Sequence, residues 1–208
     1  HRGDMGPKIS SNFSSNIRTK IIPSRFSRNP VQWGTMKRVM LREITEDDFS
    51  DIHEYARDPR VVKFLPFGPN TKKQTRKYIK DVTRKRERSS AHGPRRHFIL
   101  GIIEKASGKL IGLIRLSVHP KHRSGNIGYV LNRKFWGKGY AVEAGKLIMG
   151  FGFKKLKLHR VTAYAVKENR RSIRVLEKLG MKQEGLLKGH RLIRGKWYSS
   201  YVYASVKG

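Results

Sequence analysis

The sequence contains no cysteine among its 208 residues. Disulfides, thiolate metal sites and a cysteine nucleophile are therefore all excluded. There is also no run of about 18 apolar residues, so the sequence predicts no membrane-spanning helix. The eight histidines form no H-x-E or H-x-x-x-H pattern, and we accordingly predict no metal site.

Acidic residues are scarce, since 15 Asp and Glu stand against 47 Lys and Arg, and the formal net charge is +32. A surface this basic attracts polyanions through its summed field, so we expect non-specific polyanion or nucleic-acid binding. Two explanations of the charge stay open: adaptation to a polyanionic setting such as the ribosome, and deliberate recharging of the surface. The lack of cysteine is compatible with a reducing compartment, and we expect a cytoplasmic protein.

Residues 1–34 differ in composition from the rest of the chain. They are rich in Ser, Asn, Arg and Pro, contain one acid (Asp4) and show no sustained apolar period. This composition is typical of a disordered basic extension, and the opening His is compatible with a cloning remnant. We therefore predict one folded domain over residues 35–208, a length that one core can serve.

Hydrophobic periodicity, caps and turn residues predict an alternation of strands and helices over residues 35–208. In chain order we expect a strand over 37–44, a helix from Thr45 to about Asp58, a helix from Thr71 to about Arg88, strands over 97–104, 109–118 and 126–131, a helix over 139–153, a strand over 158–166, a helix over 170–179 and two strands around Arg194-Gly195. This order implies an α+β fold with one central sheet.

A glycine-containing turn joins the predicted strand ending at Leu131 to the helix starting at Gly139. Glycine lets the backbone approach a ligand closely, and the first amides of a helix are unpaired donors that favour a diphosphate. Taken alone, the pattern fits an ordinary tight turn equally well. It is not a Walker loop, because Gly139 follows Lys138, and it lacks the third glycine of a dinucleotide fingerprint, where Val142 stands.

Two blocks of sequence resemble the GCN5-related N-acetyltransferase (GNAT) superfamily, and within it the Rim-type branch that acetylates ribosomal-protein N-termini. The family loop Arg/Gln-x-x-Gly-x-Gly/Ala is matched over 134–139, with Lys in the first place, and Trp-Gly-Lys-Gly-Tyr-Ala-x-Glu-Ala occurs at 136–144. The later block Asn-x-x-Ser-x-x-Val-x-Glu-Lys-Leu-Gly-Phe/Met-x-x-Glu-Gly is matched over 169–185. The resemblance spans residues 37–206.

The resemblance implies an N-acetyltransferase domain over 35–208 with the GNAT fold. That fold is α+β, with a mixed central sheet of about seven strands, helices on both faces, and acetyl-CoA where the fourth and fifth predicted strands splay apart. Backbone groups of 129–131 would pair with the pantetheine arm, and amides of 137–141 would hold the pyrophosphate. The implied cofactor-binding residues are Tyr129, Val130, Leu131, Lys134, Trp136, Gly137, Lys138, Gly139, Tyr140, Ala141, Asn169 and Ser172.

The resemblance also implies that a neutral amine attacks the acetyl carbonyl directly. This reaction needs a polarised carbonyl, a donor to the leaving thiolate and a path for the amine proton. We assign the polarisation of the acetyl carbonyl to a backbone amide near Tyr129. Many relatives carry a thiolate-protonating Tyr four residues beyond the Ser172 position, where this chain has Leu176, so Ser172 becomes the candidate donor.

The general base is left open by the sequence. Some Rim-type enzymes have a Glu six residues after the Glu-Gly pair, but that position falls near Arg191 here. The remaining candidates are Glu54, Glu184, His119 and His190, and a chain of water molecules is an equal alternative. Only a rate factor of roughly 10²–10⁴ depends on such a base.

The expected function is transfer of acetyl from acetyl-CoA to a primary amine. The first candidate acceptor is a protein N-terminus of the ribosomal-protein type. Two alternatives stay open. The acceptor could be a small molecule such as a polyamine or an aminoglycoside, or the chain could be a basic RNA- or ribosome-binding module that keeps the fold without turnover. We expect a monomer or a homodimer.

Overall fold

The computed structural model describes residues 32–91 and 94–207, in which eight strands form one mixed sheet. The strands are β1 (Gln32–Thr35), β2 (Val39–Glu43), β3 (His97–Glu104), β4 (Leu110–His119), β5 (Ser124–Leu131), β6 (Arg160–Val166), β7 (Lys182–Ile193) and β8 (Lys196–Val206). The helices are α1 (Phe49–Ala56), α2 (Pro59–Val62), α3 (Lys72–Ala91), α4 (Tyr140–Gly150) and α5 (Arg170–Lys178).

The strands lie in the order β1-β2-β3-β4-β5-β6-β8-β7. All neighbouring pairs are antiparallel except β5 and β6, which are parallel. No helix within the described ranges combines the length and apolarity that a membrane crossing requires.

Two hydrophobic cores cover the two faces of the sheet. Helices α4 and α5 pack on one face, and α1, α2 and α3 pack on the other. Consecutive residues of β4 alternate between the cores, with Leu113 in the second and Ile114 in the first, because side chains on a strand point to opposite faces. The predicted α+β architecture with helices on both faces is confirmed.

The first strand differs from the sequence prediction. Gln32 to Gly34, assigned above to the disordered extension, belong to β1, so the domain begins before residue 35 and the sheet has eight strands instead of about seven. The ring of Trp33 lies edge-on to Phe98 and Phe151, with centroids 5.3 and 5.1 Å away, and its Nε1 donates to Glu43 over 2.8 Å. A strand of four residues is too short to show periodicity. The remaining residues of the predicted extension, 1–31, lie outside the described ranges.

The predicted helix from Thr45 to Asp58 is divided in the structure. Helix α1 ends at Ala56, and α2 begins anew at Pro59. Proline lacks an amide hydrogen and disfavours helical geometry in the preceding residue, which explains the break. Asp58 caps the new helix, since its carboxylate accepts from the amide of Arg60 over 2.9 Å.

Strands β5 and β6 separate partway along their length. Their parallel register runs from Ser124 opposite Arg160 to Ile127 opposite Ala163. Strand β5 continues to Leu131 and β6 to Val166. The predicted splay is therefore confirmed, and residues 128–131 leave one edge of β5 unpaired with β6.

Candidate active site

A cleft of about 710 Å³ opens where β5 and β6 separate. One wall is formed by β5 and the start of α5, including Tyr129, Asn169 and Ser172. The opposite wall is formed by α1, α3 and the loop from Phe64 to Gly68. The cleft thus lies between the unpaired edge of β5 and the loop from Phe64 to Gly68, for which the sequence predicted neither helix nor strand.

Two hydroxyl groups meet on the first of these walls. The side chain of Asn169 caps α5 by accepting from the amide of Ser172 over 3.2 Å, and this cap places Ser172 in the first turn of the helix. The Tyr129 hydroxyl donates to Ser172 Oγ over 3.5 Å. Burial raises the pKa of Tyr129 above its ordinary value, so the phenol is neutral at neutral pH and can donate.

The role of the Tyr129 side chain was missed by the sequence analysis, which assigned only its backbone amide. The one feature of the sequence that pointed toward a substitute hydroxyl was Leu176, which stands where the resemblance to the family implies a tyrosine. The sequence shows this loss, but it does not show that a phenol from β5 reaches Ser172, because that contact joins residues 43 positions apart.

The turn before α4 has the geometry of an anion-binding loop. Gly137 and Gly139 adopt left-handed conformations, with φ of +76° and +83°, which glycine tolerates without steric cost. Helix α4 begins at Tyr140, and the amides of Val142 and Glu143 donate to the Gly139 carbonyl, so the amides of Tyr140 and Ala141 are the ones without a partner in the helix. A Cβ on Gly137 would meet nothing within 4 Å, so this side of the loop faces open space.

Aromatic and charged side chains hold this loop in place. Trp136 Nε1 donates to the carbonyl of Leu131 over 2.8 Å, and the Arg171 guanidinium lies 4.7 Å from the centre of its ring. Arg38, which the sequence analysis did not identify, donates to Glu143 over 2.6 Å. The Arg38 guanidinium also lies 4.8 Å from the ring centre of Tyr140, at the start of α4.

The two basic side chains predicted to bind cofactor have protein partners in this structure. The ammonium group of Lys134 lies 2.6 Å from the Glu54 carboxylate. The ammonium of Lys138 lies 5.8 Å from the ring centre of Phe135. Because both side chains are long and exposed, either can turn toward a phosphate without a change of backbone.

The structure does not bring the candidate carboxylates to Ser172. Glu54 faces a separate pocket beside α2, and its hydrogen bond with Lys134 lowers its pKa. Glu184 is paired with Arg160, which likewise lowers the Glu184 pKa. A carboxylate whose ionised form is stabilised by a cation accepts a proton poorly. Neither residue lines the cleft, and their placement argues against a role as general base.

The two candidate histidines differ in position. His119 ends β4 and does not line the cleft. His190 does not line the cleft either, although its ring centroid lies 5.0 Å from that of the cleft residue Tyr164. Burial and then the charge of Arg191 lower the pKa of His190. Within residues 32–91 and 94–207, no cluster of three His, Asp or Glu could hold a metal ion.

The family model described as "Acetyltransferase (GNAT) domain" matches residues 38–182, which is more than half of the chain. Among curated proteins, the uncharacterized N-acetyltransferase YnaD of Bacillus subtilis (strain 168) is 32% identical over 170 residues, covering 82% of this chain and 94% of YnaD. The spermidine N(1)-acetyltransferase of Escherichia coli (strain K12) is 26% identical over 160 residues, covering 76% of this chain and 81% of that enzyme.

Solved structures share the same fold. RimL, the ribosomal L7/L12 α-N-protein acetyltransferase in complex with coenzyme A, superposes with a TM-score of 0.72 at 16% identity, covering 85% of this chain and 98% of RimL. At this identity the similarity concerns the fold, and it is consistent with the Rim-type resemblance of the sequence blocks.

Proposed function

The chain belongs to the GNAT acetyltransferase family, and from this premise we propose that it transfers acetyl from acetyl-CoA to the α-amine of a protein N-terminus. Acetyl transfer is the activity of the family. The observation that carries the proposal is the cleft at the β5–β6 separation, which has Ser172 and Tyr129 on one wall. No Asp or Glu of the described residues lines this cleft.

The donor molecule fits the residues present. We place its pantetheine arm along the β5 edge at 129–131, which has no β6 partner. We place its pyrophosphate on the amides of 137–141, where the helix start and its dipole favour an anion. The Oδ1 of Asn169 already caps α5, so its amide nitrogen is the group that it offers to the pantetheine.

The reaction needs few groups from the protein. The amine nitrogen attacks the acetyl carbonyl carbon, a C–N bond forms, and the C–S bond breaks. A backbone amide of β5 near Tyr129 stabilises the carbonyl oxygen as it gains negative charge. Ser172 Oγ delivers a proton to the departing thiolate, and the Tyr129 hydroxyl, which donates to Ser172, relays a proton from water in the cleft back to the serine. The proton of the attacking amine leaves through water in the open cleft.

A small polyamine is the second candidate acceptor, favoured by the similarity to the spermidine enzyme. A polyamine carries several ammonium groups, and a site for it needs carboxylates to replace their hydration. The cleft lining lacks such groups among the described residues. A protein N-terminus presents one amine and neutral amides, which the polar and aromatic lining suits better.

Release of free thiol from acetyl-CoA in the presence of different amines tests the proposal. The panel consists of short peptides with free N-termini, the same peptides with blocked N-termini, and spermidine. We expect thiol release and α-N-acetylated product with free N-termini, and no release with blocked ones. Faster acetylation of spermidine than of any peptide would assign the polyamine instead. An RNA- or ribosome-binding module without turnover would release no thiol with any amine.

A further inference from the structure

Two arginines from different strands line the cleft. Arg115 lies on β4 opposite Gly128 of β5, and Arg191 lies on β7. A Cβ on Gly128 would lie only 2.9 Å from Arg115 Nε. The Arg115 side chain therefore crosses the strand directly above this glycine, and any larger residue at position 128 would displace it.

Neither arginine has an acidic partner among the described residues. Arg115 donates to Asn126 Oδ1 over 3.1 Å and to Ser117 Oγ over 3.4 Å, both neutral acceptors. Arg191 forms no ion pair within the described part of the chain. Arg42, Arg95 and Arg160, in contrast, each have a carboxylate within 4 Å. The cleft thus carries two positive charges that no protein acid balances.

The two charges disfavour each other. Desolvation and then the charge of Arg191 lower the pKa of Arg115, because both penalise its charged form. Both effects are relieved by an anion between or beside the guanidinium groups. The phenol of Tyr78 lies on the same cleft, and burial raises its pKa to about 12, so it adds a neutral hydrogen-bond donor.

The position of Arg115 separates it from the proposed pyrophosphate site. Gly128 is the first residue of β5 beyond the last pair with β6, and it precedes Tyr129, which contacts Ser172. From Gly128 to Leu131 the strand rises by about 10 Å, and the loop at 137–141 lies beyond that. The guanidinium, which lies over Gly128 and donates to Asn126, is therefore on the side of Tyr129 away from the pyrophosphate loop, and this is the side on which we place the acceptor.

We propose that Arg115 and Arg191 bind a carboxylate of the acceptor close to its reacting amine, so that the preferred substrates are protein N-termini with Asp or Glu among the first residues. The inference rests on the proposed function and names its substrate class. A guanidinium binds a carboxylate through paired hydrogen bonds in a fixed plane. An extended peptide advances about 3.3–3.6 Å per residue, so a carboxylate within the first three residues stays inside the cleft.

Peptides that differ only at the second residue test this proposal. Ser-Asp, Ser-Asn and Ser-Lys peptides of equal length are compared by kcat/KM, in low salt and in about 1 M salt, where the Debye length of about 3 Å removes the attraction of the basic surface. We expect the Asp peptide to exceed the Asn peptide by at least about tenfold, with the preference persisting in high salt.

Three variants and a control test whether the preference arises in the cleft. Arg115→Gln and Arg191→Gln should each reduce the Asp-over-Asn ratio of kcat/KM to within about threefold. Arg84→Gln, on the exposed part of α3, removes the same charge outside the cleft and should keep the full ratio. Arg115→Lys keeps the charge without the planar fork and should show an intermediate ratio. Thermal melting checks that each variant is folded.

Several results would overturn the proposal. They are an equal rate for Asp and Asn peptides in the unaltered protein, a preference that survives in both Gln variants, and faster acetylation of free aspartate or glutamate than of any peptide. If no peptide is acetylated, the proposed function fails. Calorimetric binding of the same Asp and Asn peptides to the unaltered protein and to Arg115→Gln then still decides whether the arginines bind a carboxylate.

Discussion

The hydroxyl of Tyr129 lies 3.5 Å from Ser172 Oγ on the wall of the cleft. In the proposed reaction these two residues provide a proton for the leaving thiolate, and Leu176 occupies the position where the resemblance to the family implies a tyrosine. Ser172 was predicted from its sequence block, because a motif fixes residue types at short spacing. The anion site proposed at Arg115 and Arg191 was not predicted, because the presence of both residues on one cleft depends on how β4, β5 and β7 are arranged across the sheet.

At this scale we predict that Ser172→Ala lowers kcat by about tenfold to a hundredfold, within the range that general acid catalysis spans. Tyr129→Phe should lower kcat less, because it removes only the support of the serine. The KM for acetyl-CoA should change little in either variant. Steady-state thiol release measures both kcat and this KM, and a large rise of KM with unchanged kcat in Ser172→Ala would show that Ser172 serves binding alone.

The pH profile serves as the control for Tyr129. Because burial raises its pKa, the phenol keeps its proton to a higher pH than a free tyrosine, whose pKa is about 10. Its loss of a proton should therefore cause no fall of kcat below about pH 10. A fall between pH 8 and about 9 that disappears in Tyr129→Phe would contradict this assignment.

At the scale of secondary-structure elements, the loop before α4 depends on the left-handed conformation of Gly137. We predict that Gly137→Val weakens acetyl-CoA binding by at least about tenfold, because the side chain strains the backbone and occupies the space beside the amides. Calorimetric titration with acetyl-CoA measures the loss.

Gly180 provides a matched control for the loop. It has the same φ of +76° as Gly137, and a Cβ there would likewise meet nothing within 4 Å, but it follows α5 instead of preceding α4. Gly180→Val should lower the melting temperature as much as Gly137→Val and keep acetyl-CoA binding. Equal loss of binding in both variants would mean that backbone strain, and not the site, causes the effect.

The loop along the far side of the cleft is tied to the β7–β8 turn by one side chain. The Arg194 guanidinium donates to the carbonyls of Gly68 over 2.7 Å, Phe67 over 3.0 Å and Val62 over 3.1 Å. We predict that Arg194→Ala raises the KM of the peptide acceptor severalfold and leaves the KM of acetyl-CoA unchanged. Hydrogen exchange of residues 62–68 should become faster.

Lys188→Ala, an exposed change on β7, is the control for Arg194. It should alter neither KM nor exchange. If Arg194→Ala left both the acceptor KM and the exchange of 62–68 unchanged, the loop would be held by other contacts.

The elements themselves were predicted to different degrees. The strands with long apolar runs, β3 and β4, and the capped helix α3 lie within a few residues of their predicted bounds. Strand β1 was missed because its stability comes from Trp33, which packs against residues far along the chain. The break at Pro59 was also missed, although proline itself signals it.

At the scale of the whole molecule, the net charge of +32 predicts polyanion binding that does not depend on the active site. We expect the logarithm of the binding constant for RNA or heparin to fall steeply and linearly with the logarithm of the salt concentration, because counterions are released on binding. Acetyl transfer to a neutral peptide should persist over the same range. Specific RNA binding that resists salt would instead indicate a dedicated nucleic-acid function.

Hydrogen exchange with and without acetyl-CoA tests whether the cofactor occupies the cleft between β5 and β6. We predict protection of the β5 edge at 128–131, the loop at 137–141 and the start of α5 at 169–172. Protection confined to the separate pocket formed by residues such as Glu54, Asp58 and Arg133, or no protection at saturating acetyl-CoA, would contradict binding in this cleft.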